Sequence, residues 1–294
     1  MNSTNTTDFG RIGVWSTALR TDNPENGDRV GDAVAELESL GYGTVWIGGS
    51  PGVAQAAPLL AATERLTVAT GILSIWDHSP LDVAAARAEL ERSHPGRFVL
   101  GLGASHSATT ERYQRPYSTM KEYLTGLDEA PEPVPASARV LAALGPKMLK
   151  LSHDRAAGAH PYLVTVEHTA RAREVLGSDA LLAPELKVVL DRDLDAARAT
   201  ARGYLSFYLR LPNYTKNLER FGFEEADFAD GGSDRLLDAV FALGDADAVA
   251  HRVGEFLTAG ADHVAVQVVG DDPRTDLPLD AWRALAKALP TRGA

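Results

Sequence analysis

Residues Leu66 to Pro80 read LTVATGILSIWDHSP. From Leu66 to Ala69 apolar residues alternate with threonine, a strand pattern, and Gly71-Ile72-Leu73 then sets a residue without a Cβ beside two bulky ones where the strand should end. Glycine inside a strand pattern marks a bulge, a bend, or a backbone that lies close to something flat. The same glycine could simply relieve crowding in a core strand, and the stretch alone leaves both readings open. A short polar loop, Ser74 to Pro80, follows.

Outward from this stretch the chain repeats one phrase. Arg11 to Leu19 reads as a first strand and Asp28 to Leu40 as a helix, with Val30, Val34, Leu37 and Leu40 at helical spacing. Thr44 to Gly48 is the second strand and Val53 to Ala62 the second helix. The opening stretch is the third strand, followed by a helix over Leu81 to Ser93 and a His94-Pro95-Gly96 break. Arg97 to Gly103 is the fourth strand, Pro116 to Leu127 a helix, and Pro131 to Pro135 a stiff connection to a fifth strand, Arg139 to Gly145. Met148 to Ala157, Ala159 to Thr165 and Glu167 to Leu176 continue as helix, strand and helix. Leu186 to Leu190 is the seventh strand and Leu194 to Tyr208 a long helix. Arg210 to Ser233 carries Pro, Gly and aromatics without a strand and reads as an inserted helical excursion. Asp245 to Ala259 resumes as a helix, Asp262 to Val269 is the eighth strand, and Pro278 to Leu289 closes the chain.

Eight strands alternating with helices, each strand apolar on both faces, predict an α/β fold whose parallel sheet closes into a (β/α)8 TIM barrel over residues 9–290. An open doubly wound sheet is the alternative; it calls for a glycine fingerprint after the first strand, and Val14 to Leu19 has none. In a barrel the chemistry sits at the C-terminal strand ends. Here these are Trp15 and Ser16, Gly48 to Ser50, Gly71 to Asp77, Gly103 to His106, Gly145 to Lys147, Val164 to His168, and the region of Gly270.

Composition narrows the function. The 294 residues are 45% hydrophobic and 23% charged, with a net charge of −11. That balance argues against nucleic acid, which draws on clustered Lys and Arg. No apolar run approaches the roughly 20 residues that span a bilayer. Residues 1–8 lack the charge and apolar core of a signal peptide and are expected to be a disordered tail. The absence of cysteine removes disulfides and thiolate chemistry and fits a cytoplasmic location. A small molecule is the expected partner.

The strand ends suggest a broad mouth with exposed backbone amides, suited to a planar ligand. Leu144-Gly145, before a helix opened by Pro146, offers a helix N-terminus to an anion, and Lys147 adds a charge; Gly145-Pro146 could also be no more than a helix start. The histidines show no metal-ligand spacing, so no metal is expected. No Gly-x-Ser-x-Gly elbow occurs. Asp191, Asp193 and Asp195 read as helix-cap and first-turn charges. His106, beside Ser105 and Ser107, is the most suggestive titratable residue.

The segments SLGYGTVWIGGSPG, GRFVLGLGASHS, LAALGPKMLKLSHDRAAGAHPYLVTVEHTARAREVLG, YLRLPNYTKNLERFGF and AGADHVAVQVVG, in this order, resemble the actinobacterial branch of the luciferase-like family of coenzyme F420-dependent oxidoreductases. The resemblance implies a barrel with an insertion near the seventh strand, a homodimer, and a deazaflavin across the mouth, with a non-prolyl cis bond at Gly71-Ile72 against the ring. It implies coenzyme contacts from Gly48, Gly49 and Ser50, from Gly71, Ile72 and Leu73, from Gly103, Ala104 and Ser105, and a phosphate site at Leu144, Gly145, Pro146 and Lys147. Two departures stand out. The histidine that related sugar-phosphate dehydrogenases and luciferases carry after the second strand is replaced by Gly48-Gly49, and the acidic residue after the fourth strand by Ala104-Ser105-His106. Proton transfer then falls to His106 or His78, or to solvent. Trp15 and Trp76 are expected to wall the substrate, and Tyr214 lies in the segment expected to roof it. The function implied is hydride transfer between F420 and a small carbonyl, alcohol or activated C=C substrate. An FMN-dependent monooxygenase and a non-catalytic F420- or flavin-binding protein are the alternatives.

Overall fold

The computed structural model describes residues 7–27, 29–106, 112–270, 272 and 274–292. The expected tail over residues 1–8 lies outside these except for its last two positions. The strands are β1 (Ile12–Ser16), β2 (Thr44–Gly48), β3 (Thr67–Gly71), β4 (Leu73–Ser74), β5 (Phe98–Gly103), β6 (Arg139–Leu141), β7 (Gly158–Ala159), β8 (Leu181–Leu182), β9 (Glu185–Leu190), β10 (Phe241–Gly244) and β11 (Val264–Val268). Every pairing is parallel, in the order β10-β9-β11-β1-β2-β3-β5-β6-β7-β8, with β4 on β5.

The two ends of that order meet inside one strand. Only Ala183 and Pro184 separate β8 from β9, and this path bonds both neighbours. Leu181 N, Ala183 N and Glu185 N donate to Ala157, Ala159 and Pro161 carbonyls on one side, while Asp262 N and Ala265 N donate to Leu182 and Pro184 carbonyls on the other. The sheet therefore closes as an eight-stranded barrel, with β3 and β4 as one strand interrupted at Ile72, and β10 as an addition.

Helices cover the outside: α1 (Val30–Ser39), α2 (Ala56–Ala61), α3 (Pro80–Ser93), α4 (Pro116–Asp128), α5 (Pro146–Arg155), α6 (Val166–Leu176), α7 (Leu194–Tyr208), α8 (Pro212–Glu219), α9 (Glu225–Phe228), α10 (Asp234–Val240), α11 (Ala246–Thr258) and α12 (Leu279–Ala286). Side chains set several starts. Ser79, Thr165, Asp193 and Asp245 each accept a first-turn backbone N–H of α3, α6, α7 and α11. Asp193 is thus the cap its spacing predicts.

Three boundaries depart from the sequence reading. The fifth strand stops at Leu141 rather than Gly145: after Ala142 N bonds Leu102 O, the chain turns toward the mouth. The sixth is confined to Gly158–Ala159, because Pro161 has no N–H for the ladder and Leu163 adopts a positive φ of 55°. The excursion is also longer than Arg210 to Ser233. It runs through α8, α9 and α10 into β10, whose residues 241–244 pair with residues 187–190 of β9. Leu211, Tyr214, Leu218, Leu236, Leu237 and Phe241 form a core of their own against Ala197, Ala201 and Leu205 of α7. A four-residue strand directly after a helix leaves too little alternation to be read.

The barrel interior is filled by two indoles among small residues, Trp15 and Trp46 with Ala69, Val99, Val140, Ala183 and Ala265. Trp46 stacks on His160 with ring centroids 4.0 Å apart, and its Nε1–H donates to His263 Nε2 at 3.0 Å. His263 Nδ1–H therefore goes to Gly10 O, 2.8 Å away. Burial pushes His160 down to about 3 and His263 down to about 4, so both rings are neutral core groups.

Two of the mouth glycines face a flat group that is the protein's own. A Cβ on Gly48 would lie 2.5 Å from Trp15 Cη2, and one on Gly71 would lie 2.7 Å from Trp15 Nε1, which donates to Gly71 O at 2.9 Å. The expectation that Gly48 leaves the mouth open is corrected: the indole fills that space. Gly48→Ala is expected to lower unfolding free energy by about 1–3 kcal/mol, since Trp15 must leave its packed position. Urea unfolding followed by tryptophan fluorescence measures this, and an unchanged midpoint would show that the ring yields freely.

Candidate active site

The C-terminal strand ends and the excursion enclose a cavity of about 1430 Å³. Its floor is Trp15, Gly71 and Ile72. The peptide bond between Gly71 and Ile72 is cis, as the resemblance implied. The Ile72 side chain lies where a Cβ on Gly103 would be, so β5 approaches β3 through that glycine. Gly49, Ser50 and Ser74 border the floor on one side, and Gly103, Ala104, Ser105 and His106 on the other. Ser50 Oγ accepts the Ser74 N–H at 3.1 Å, tying the second strand end to the third.

One end of the cavity is cationic. Leu144, Gly145, Pro146 and Lys147 line it, with Arg220 from the end of α8. A Cβ on Gly145 would sit 3.3 Å from Arg220 Nη1, so the guanidinium covers the start of α5. His168 fixes the preceding residue, donating its Nε2–H to Leu144 O at 2.9 Å; burial lowers its pKa and keeps it neutral. Neither Lys147 nor Arg220 has a carboxylate partner among the described residues, which leaves both charges for an anion at a helix N-terminus. A large cavity with a flat apolar floor and a cationic end fits a ring carrying a phosphate.

Another part of the wall is phenolic. Tyr162, Tyr204 and Tyr208 line the cavity and place their hydroxyl oxygens 2.9–3.0 Å from one another. Tyr162 donates to Gln267 Oε1 at 3.0 Å, and Gln267 Nε2 donates to Tyr204 at 2.6 Å. Below Tyr162 stands Lys187, 0% exposed, with Nζ 3.7 Å from the ring centroid and 2.6 Å from Glu185 Oε2. Burial pushes the Glu185 carboxyl up and the Lys187 ammonium down, and raises all three phenols above the ordinary tyrosine value.

The remaining predicted residues divide. His106 lines the cavity 5.0 Å, centroid to centroid, from Tyr214, which also lines it; burial lowers the His106 pKa, so the imidazole is neutral at pH 7. Ser107 lies outside the described residues. Gly48, Leu73, Trp76 and His78 are not among the lining residues. Leu73 is fully buried, and His78 sits beside Gly52. Trp76 bridges the third and fourth strand ends by donating its Nε1–H to Ala104 O.

The phenols, Lys187, Glu185, Gln267 and Arg220 were not singled out from the sequence. Their signal was present in ELKVVL, where Glu185 and Lys187 interrupt an otherwise apolar parallel strand at a spacing of two, placing both on the barrel's inner face.

A closed parallel barrel with a large mouth cavity, lined by a phenol cluster and by cationic side chains at the start of α5, defines a small-molecule enzyme architecture. Residues 8–130 match the family model described as luciferase-like monooxygenase. The 5,10-methylenetetrahydromethanopterin reductase of Methanolobus tindarius is 24% identical over 291 residues, spanning 80% of this chain and 87% of that one. Two solved structures share the fold. An F420-dependent secondary alcohol dehydrogenase, in complex with an F420-acetone adduct, superposes with a TM-score of 0.72 at 16% identity over 96% of this chain and 98% of its own. The oxygenating constituent of 3,6-diketocamphane monooxygenase from Pseudomonas putida, with FMN, superposes with a TM-score of 0.68 at 14% identity over 95% and 98%.

Proposed function

We propose that the protein is an oxidoreductase that transfers a hydride between the deazaflavin coenzyme F420 and a small organic substrate, a carbonyl/alcohol pair or an activated C=C bond. The observation that carries this reading is the split of one cavity into a flat floor with a cationic end and a phenolic wall. F420, when bound, supplies a two-electron hydride carrier. Gly49, Ser50, Gly71, Ile72, Gly103, Ala104 and Ser105 would border its ring, and Leu144 to Lys147 with Arg220 would hold its phosphate. The likeness to the alcohol dehydrogenase supports the coenzyme and the substrate type. The FMN-bound neighbour supports the second reading, a flavin-dependent monooxygenase. A homodimer and a cytoplasmic location belong to the first proposal.

Of the two histidines weighed for proton transfer, His106 reaches the cavity and is proposed as the group that exchanges protons with water at the mouth. Its lowered pKa keeps it neutral near pH 7, able to carry a proton in either direction. The reading is tested by following reduced F420 at saturation with a panel of ketones and enones. His106→Ala is expected to lower turnover by about 10²-fold with coenzyme affinity retained. Unchanged turnover would remove His106 from the proton path, and no turnover by the wild type with any member of the panel would remove the proposed reaction.

A further inference from the structure

The phenolic wall holds fewer protons than it has hydrogen-bonding contacts. Tyr162, Tyr204, Tyr208 and Gln267 make five contacts: three between hydroxyls, one from Tyr162 to Gln267 Oε1 and one from Gln267 Nε2 to Tyr204. The amide oxygen only accepts, which commits the Tyr162 proton to it, and the amide nitrogen only donates. The protons of Tyr204 and Tyr208 are then left to serve three oxygen–oxygen edges, so one edge always places two lone pairs face to face. Tyr208 alone of the three has no bond to Gln267, so neither its proton nor its oxygen is engaged by the amide.

A wall of this kind accepts from a hydroxyl, which engages a lone pair left facing another at the edge without a proton, and donates to a carbonyl, which takes the Tyr208 proton. It is matched to both members of a carbonyl/alcohol pair. Its charge is balanced, because Lys187 beneath it is bonded to Glu185, so it favours an uncharged ligand over a carboxylate or an amine.

We propose that the hydroxyls of Tyr162, Tyr204 and Tyr208 form the subsite for the reacting oxygen of an uncharged ketone or secondary alcohol, with Tyr208 as the catalytic group that donates to it and accepts from it. The proposal rests on the hydride-transfer reading above. In the reducing direction the carbonyl carbon accepts a hydride, and the C=O π pair becomes a lone pair on oxygen. The Tyr208 O–H bond breaks, its proton joins that oxygen, and water at the mouth replaces it by way of His106. The ketone gains two electrons and two hydrogens: one hydrogen with both electrons as the hydride that the reduced coenzyme, when bound, would supply, and the other as the Tyr208 proton.

The test uses cyclohexanone and cyclohexanol as probes. Saturation-transfer NMR on the coenzyme-free protein is expected to show both probes bound by the wild type and bound at least about fivefold more weakly by Tyr204→Phe/Tyr208→Phe, the loss of one or two hydrogen bonds. If the double variant fails to fold, Tyr208→Phe, which removes one hydroxyl and keeps the ring, carries the comparison. With reduced F420, Tyr208→Phe is expected to turn over cyclohexanone about 10²-fold more slowly at unchanged F420 affinity. Equal probe binding by wild type and variant, no probe binding by the wild type, or unchanged turnover in Tyr208→Phe would overturn the subsite. Probe binding that depends on the phenols in a protein that does not bind F420 would leave the subsite standing and overturn the coenzyme reading instead.

Discussion

Replacing Lys187 with methionine is expected to lower the unfolding free energy by about 3–5 kcal/mol, the largest stability effect of any single change considered. Lys187 and Glu185 are both essentially inaccessible, at 0% and 1% exposure or less, and each is the other's ion-pair partner. Removing the ammonium leaves a carboxylate inside the barrel with one backbone donor, Leu163 N at 3.3 Å. The deficit must depend on pH, with a definite sign. Burial raises the Glu185 pKa in the folded state. Below the ordinary glutamate value the group is protonated folded and unfolded alike, so the variant carries no charge penalty there; the penalty grows as pH rises from about 4 toward the raised folded value. Urea midpoints of wild type and variant should therefore lie closer together at pH 4 than at pH 7. Lys187→Met/Glu185→Leu, which buries no charge, is expected to recover much of the loss. A pH-independent gap, or a double variant no more stable than the single, would show that packing rather than charge sets the cost.

The second large effect concerns the cationic end. Lys147→Ala/Arg220→Ala is expected to weaken F420 binding by about 10²-fold, since a hydrogen bond to a charged group contributes about 1.5–3 kcal/mol. Both side chains are exposed, so stability should change by no more than about 0.5 kcal/mol. The wild-type affinity should also fall with added salt more steeply than that of the double variant. Affinity unchanged by the double substitution would place the coenzyme's anionic part elsewhere in the cavity.

The barrel was legible because its strands are short apolar runs between helices whose ends carry recognisable stops. The Gly71-Ile72 turn and the helix start at Gly145-Pro146 were legible as well, the first by family resemblance and the second from the helix signals around it. What escaped the sequence has a common cause. The indole of Trp15 reaches Gly48 and Gly71 across two strand boundaries, and the phenols of Tyr162, Tyr204 and Tyr208 meet Gln267 from positions as much as 105 residues apart. Neither contact leaves a periodic trace. Gly71 was open between a bulge, a bend and a close approach, and Gly48 was read as part of an open mouth; the group that lies against both is the indole of the chain's own Trp15. The one local clue to the phenolic wall, the charged pair inside the seventh strand, was masked by the Val188-Val189-Leu190 run that follows it.

The proposed deazaflavin would lie between the strand-end floor and the Lys147–Arg220 end of the cavity. Equilibrium titration of the purified protein with F420 and, separately, with FMN, followed by coenzyme fluorescence, addresses it most directly. Binding of F420 with a Kd of roughly 1 μM or tighter, at least about tenfold tighter than FMN, is the predicted result. Tighter binding of FMN, or no binding of F420 in that range, would contradict it.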